Sequence, residues 1–118
     1  MSEQAEVAAV AELLEDETAR RILLETRTQP MSADTLSERC NVSPSTVYRR
    51  IDDLREHDLL VEQTRPNEEG HHYQVYVATL DRVVVDVTDD GYEVELHHRE
   101  PERTKGMVDR FTRLVEEM

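Results

Sequence analysis

Ser43, Ser45, Thr46, Tyr48, Arg49 and Arg50 lie within eight residues of one another, and their side chains could together hold and read a polyanion. Hydroxyls and free amides at the start of a helix take phosphate oxygens, and an arginine fork one turn later matches a guanine edge. This chemistry requires all six groups on one exposed helix edge. The neighbouring residues predict that edge. Ser43 is a helix cap, and Pro44 takes the first helical position, where a missing N–H costs nothing. Val47, Ile51 and Leu54 then recur at helical spacing and face inward, so a helix over 44–57 leaves Ser45, Thr46, Tyr48, Arg49 and Arg50 outside.

The elements that must position this edge follow from the same logic. Ser32 caps a helix over 33–40 with Ala33, Leu36 and Cys40 inward. Asn41 tolerates a left-handed turn, and Val42 enters the core between the two helices. Upstream, a helix over 4–15 carries the stripe Val7, Ala8, Val10, Ala11 and Leu14. Asp16 caps a helix over 17–28 with Ala19, Ile22 and Leu23 inward, ending before Pro30. Downstream, strands over 59–65 and 71–78 flank the turn Pro66-Asn67-Glu68-Glu69-Gly70 and make a hairpin. Strict alternation in the second strand sends one of Tyr73 and Tyr76 inward and the other outward. A second hairpin, 82–88 and 92–98, surrounds Thr88-Asp89-Asp90-Gly91, where Asp-Gly is a strong turn signal. Pro101 opens a last helix with Met107, Val108, Phe111, Leu114, Val115 and Met118 along one side.

Composition runs against a polyanion partner at first sight. The chain has 14 Lys+Arg against 27 Asp+Glu, a formal net charge of −13, and Lys105 is its only lysine. An acidic, lysine-poor chain with five aromatic residues resembles proteins of haloarchaea. In molar salt the Debye length falls to roughly 3 Å, so local contacts outweigh net repulsion. A disordered acidic chain is excluded by the sustained apolar periodicity. Residues 18–50, which hold the helix pair, are the one basic segment, with six arginines and three acids. At 118 residues the chain is one domain with a small core, which a partner subunit would help to bury. No stretch resembles a signal peptide or reaches membrane length, and the single Cys40 fits a reducing cytoplasm.

Other reactive residues offer less. His71-His72 and His97-His98 could supply metal ligands, but neighbouring strand residues point to opposite faces, so no metal or other cofactor is expected. His71 and His72 beside the hairpin turn suit a backbone contact instead. Cys40 reads as a small core residue, with a redox-sensing thiol as the sharper alternative. Asp52-Asp53 and Asp89-Asp90 come with no phosphate loop and no nucleophile-and-base pair, so an enzyme is not expected.

Thr18-Ala19-Arg20-Arg21-Ile22-Leu23, Leu36-Ser37-Glu38-Arg39, Val42 through Ile51, and Leu54-Arg55-Glu56-His57-Asp58-Leu59-Leu60 resemble winged helix-turn-helix transcription regulators of the ArsR-like type. The likeness covers residues 6–78, and residues 79–118 resemble the C-terminal extension of small haloarchaeal regulators. The implied fold is α+β, a winged helix-turn-helix domain over 1–78 followed by a second hairpin and a C-terminal dimerisation helix over 79–118 in the same compact unit. The resemblance implies a cytoplasmic homodimer on a palindromic promoter site in double-stranded DNA, with no membrane partner. It carries DNA contact onto Ser45, Thr46, Tyr48, Arg49 and Arg50, with Ser43 at the helix start, and onto the wing from Arg65 to His71 and His72. Metal-sensing members have a cysteine pair where this chain has Ala33-Asp34-Thr35-Leu36.

For the dimer, Met107, Val108, Phe111, Leu114 and Val115 are expected to pair with a two-fold mate, with Val7, Val10 and Leu14 as a second layer. The alternative is that the last helix folds back onto its own sheet. Two further readings of function stay open: a winged helix used for protein contact in a transcription assembly, and an effector- or metal-switched sensor. Arg49 and Arg50 speak against the first, since a protein-docking winged helix has no need of them.

Overall fold

The computed structural model describes residues 2–100, with side chains from Val7 onward. Helices α1 (Ser2–Glu15), α2 (Glu17–Thr28), α3 (Ala33–Cys40) and α4 (Pro44–Glu56) precede strands β1 (Leu60–Pro66), β2 (His72–Ala78), β3 (Leu80–Thr88) and β4 (Gly91–His98). The expected last helix lies outside the described residues. The caps form where short polar side chains can reach back to orphan amides. Asp16 accepts from the Ala19 amide at 2.8 Å, Ser32 from Thr35 at 3.2 Å and Ser43 from Thr46 at 3.3 Å. Asn41 ends α3 in the left-handed region at φ 55, and its N–H turns back onto the last carbonyls of that helix.

A second left-handed residue, Asp58 at φ 61, ends α4 and was not expected. It lets the Leu59 amide return to the Leu54 carbonyl at 2.9 Å, which turns the chain sharply from α4 into β1. Asp is one of the few residues that tolerates this conformation.

Ile22, Leu36, Val47, Ile51, Leu54, Leu59 and Leu60 form the centre of the core, all fully buried. Strands β1 and β2 pair antiparallel from Leu60↔Ala78 to Pro66↔His72, and Met31 adds one bridge to Tyr76 on the other edge of β2. This third strand position seats the wing base against the helices. The expected alternation does not hold along β2: Val75, Tyr76, Val77 and Ala78 are all buried, because the end of the strand is covered on both faces. Tyr76 is inward and Tyr73 outward, so one of the two tyrosines packs inside as expected.

Strands β3 and β4 form a separate two-stranded ribbon, which packs on α1. The face that α1 turns inward also differs from the expected one. Val10 and Leu13 are buried, Val7 and Leu14 are half-buried, and Ala8 and Ala11 are exposed, so the inward stripe is rotated from the expected one. Two alanines contribute little area, and the larger Leu13 takes the place facing the core.

Candidate nucleic-acid interface

The start of α4 is a row of donors on the surface. Ser43, Ser45, Tyr48 and Arg49 are exposed, and Thr46 and Arg50 are partly covered. Ser43 Oγ lies 3.0 Å from Thr46 Oγ1 and 3.3 Å from Ser45 Oγ, so three hydroxyls cluster around the first turn. The helix is fixed from below by Val47, Ile51 and Leu54, which leaves this edge no freedom to roll inward. Such an edge can hold a phosphate and place an arginine one turn further on.

The two arginines differ. Arg49 makes no ion pair or hydrogen bond among the described residues, whereas Arg50 Nε donates to Asp16 Oδ2 at 2.8 Å. Burial works against the Asp16 charge, but the Ala19 amide, Arg50 and the Thr18 amide outweigh it and hold the carboxyl below its ordinary value. The rest of the basic segment is also engaged. Arg20 caps the end of α1 through the Leu14 and Glu15 carbonyls, Arg21 and Arg39 share Glu25, and Arg27 pairs with Asp81. Of the six arginines in residues 18–50, five are thus engaged by neighbouring helices, by a strand or within α2, and Arg49 is the one with no partner among the described residues. Asp16 as partner of Arg50 was missed in the sequence, and no local signal marks a pair 34 positions apart.

The wing stands beside α4. Asn67 Oδ1 accepts the amides of Glu69 and His71 at 3.0 and 2.9 Å, and Gly70 turns the chain at φ 83. His71 and His72 are exposed at the tip, where Glu69 lies 3.8 Å from the His71 ring. Arg65 is half-buried, donates to Gln63 Oε1 at 2.9 Å and faces Tyr73 across the ladder. Tyr73 is 45% exposed and adds an aromatic surface that the sequence reading did not assign to the site.

The remaining reactive residues are dispersed. Among the described residues no three His, Cys, Asp or Glu side chains converge as a metal site would need. His98 Nε2 lies 2.8 Å from the Asp58 carbonyl and fastens the second ribbon to the end of α4. Cys40 is half-buried against the core, and burial pushes its thiol up, against Arg21 and together with Glu25. Of the residues expected at a dimer interface, Val10 is buried within this chain, Val7 and Leu14 are half-buried, and Met107 to Val115 lie outside the described residues. No helix among the described residues is long and apolar enough to cross a membrane.

Four helices and a β-hairpin wing give the chain a winged helix-turn-helix fold. Residues 14–63 match a family of helix-turn-helix domains. Among solved structures the chain is similar to an ArsR-like transcriptional regulator from Rhodococcus sp. RHA1, at 30% identity and a TM-score of 0.54. That likeness covers 63% of each chain, so the match spans less than two thirds of the Rhodococcus protein. NolR from Sinorhizobium fredii shares the fold at 19% identity and a TM-score of 0.55, over 68% of this chain and 75% of its own. No curated protein matches the chain.

Proposed function

We propose that this chain is a sequence-specific DNA-binding transcription regulator that takes a palindromic promoter site as a homodimer. The observation that carries the reading is the open guanidinium of Arg49, one turn beyond three clustered hydroxyls on the exposed edge of α4. In this reading Ser43, Ser45 and Thr46 hold a phosphate, Tyr48 lies along the groove wall, and Arg49 forks onto a guanine. A DNA contact by Arg50 would come in exchange for its Asp16 pair, so Arg49 carries the base readout. Arg65, His71 and His72 on the wing touch the backbone, and residues 79–118 complete the dimer. The −13 charge with a single lysine supports a cytoplasm of high salt as the working environment.

Genome-wide mapping of bound sites for the wild-type chain and for Arg49→Ala tests this. Inverted repeats with half-sites about 34 Å apart are expected, the separation of two recognition helices on one DNA face. The Arg49→Ala map should lose preference at one position in each half-site. A wild-type chain that enriches no DNA would overturn the reading, and enrichment without inverted repeats would overturn the palindromic dimer.

A further inference from the structure

The described surface exposes six large hydrophobic side chains: Leu24, Tyr48, Tyr73, Val85, Val87 and Tyr92. Tyr48 and Tyr73 belong to the proposed DNA face, and Leu24 stands alone on α2. The other three are neighbours on one face of the β3–β4 ribbon. The register Val83↔Leu96, Val85↔Val94, Val87↔Tyr92 makes that face wholly apolar over three successive layers. Its base is covered, since Leu96 packs against the core, while Val85 is 51% and Val87 75% exposed toward the tip. An apolar face left open on a chain of net charge −13 marks an interaction site.

We propose that this face is the subunit seat of the homodimer, and that it receives segment 107–118 of a second copy of the chain. The inference rests on the homodimer reading above and names the surface that the dimer uses. Three observations select this occupant. First, α1 has already buried Val10 and Leu13 within its own protomer, so the ribbon is the contiguous apolar surface that the described residues leave for a mate. Val7 and Leu14 are half-buried on α1, which packs on β4, and they extend the same surface.

Second, the layers match. The ribbon presents three apolar pairs, Val83 with Leu96, Val85 with Val94 and Val87 with Tyr92, and the sequence of segment 107–118 carries three apolar clusters, Met107 with Val108, Phe111, and Leu114 with Val115. Three apolar clusters therefore face three apolar pairs. Third, the charges fit. Residues 80–98 carry six acids and one arginine, so one ribbon stacked on another would repel it. Segment 101–118 is neutral and brings Arg103, Lys105, Arg110 and Arg113.

The exit of the chain favours a second copy over the same one. The Arg99 amide donates to the Thr79 carbonyl at 2.9 Å and its guanidinium to the Arg27 carbonyl, which fixes the chain at the ribbon base. Val87 and Tyr92 lie at the opposite end, beside the Asp89-Asp90 turn. The same chain would have to reverse within residues 100–106 to reach them. In a two-fold dimer each copy gives one segment and one ribbon, and both seats fill.

The test begins with Val87→Asp, at a site so exposed that the monomer fold tolerates a charge. Sedimentation in about 2 M KCl should show a wild-type dimer and a Val87→Asp monomer of unchanged circular dichroism. Then, in a Cys40→Ser background, chains carrying Val87→Cys are mixed with chains carrying Leu114→Cys and oxidised. A disulfide joining one chain of each kind is the expected product. A chain carrying both substitutions that links only within itself, Val87→Cys chains that link to each other, or a mixed dimer that forms no link would each overturn the proposal, so the doubly substituted chain is oxidised beside the mixture. A dimer indifferent to Val87→Asp removes the seat alone, whereas a monomeric wild-type chain removes the homodimer reading itself.

Discussion

The Asp16 carboxylate caps α2 through one oxygen and holds Arg50 of α4 through the other, both at 2.8 Å. The exposed edge of α4 is thus tied from behind to the junction of α1 and α2. Adjacent arginines consequently have separable roles. Arg50→Gln should lower stability by up to about 1 kcal/mol, the range for a partly exposed pair, and leave base preference intact. Arg49→Ala should leave stability unchanged and cost about 1–3 kcal/mol of binding at one base position per half-site. Chemical denaturation and titration against operators varied base by base measure the two effects. Loss of base preference in Arg50→Gln with none in Arg49→Ala would reverse the assignment.

The same carboxylate sets a pH dependence. Its folded value is depressed: burial opposes the charge, and the Ala19 amide and Arg50 outweigh burial. A depressed acid contributes stability that is complete above its unfolded value, near 4, and lost as pH falls through the lower folded value. Asn in place of Asp16 keeps the cap but removes the charge. Asp16→Asn should therefore be less stable than wild type near neutrality, with the gap closing below about pH 4. Thermal melts of both chains at matched salt check this. A gap that is constant across the acid range would assign the loss to the cap alone.

The turn between α3 and α4 depends on one backbone conformation. Asn41 at φ 55 brings its own amide toward Glu38 and the Val42 amide to Ser37 at 3.2 Å. Asn41→Ala should cost about 1 kcal/mol, because a Cβ without a compensating polar group strains the left-handed region. Asn41→Gly should be close to neutral, since glycine enters that region freely. Equal losses in both variants would show that the Asn41 side chain, and not its backbone, sustains the turn.

What was legible in the sequence was local. Asp16, Ser32, Asn41, Ser43 and Pro44 each act within four residues, so their caps and turns follow from residue type alone. The hairpins followed from alternation and turn chemistry. What escaped was set by distant partners. Arg50 points to a carboxylate 34 positions away, and α1 turned its Leu13 side inward on meeting the core. Strand β2 lost its alternation because both faces of its last four residues are buried. The candidate DNA edge was legible because capping and helical spacing define it, but which of its two arginines is open was decided by tertiary structure.

Salt should act on fold and binding in different ways. A net charge of −13, with six acids and no bases in residues 1–17 and fourteen acids against four bases in residues 51–100, strains the compact state by self-repulsion in dilute buffer. Raising KCl from about 0.1 M to about 2 M shortens the Debye length from roughly 10 Å to below 3 Å, and the melting temperature should rise steeply. Operator binding should weaken with salt, because contacted phosphates release their counterions. The slope should be shallower than for a basic regulator with the same number of phosphate contacts. Glu68 and Glu69 flank the wing tip, and acids so placed take up cations as the DNA gives up its own. Glu68→Gln with Glu69→Gln should therefore steepen the salt slope of binding without shifting the melting temperature by much. Binding titrations across a KCl series on both chains decide it, and an unchanged slope would remove the wing from the DNA contact.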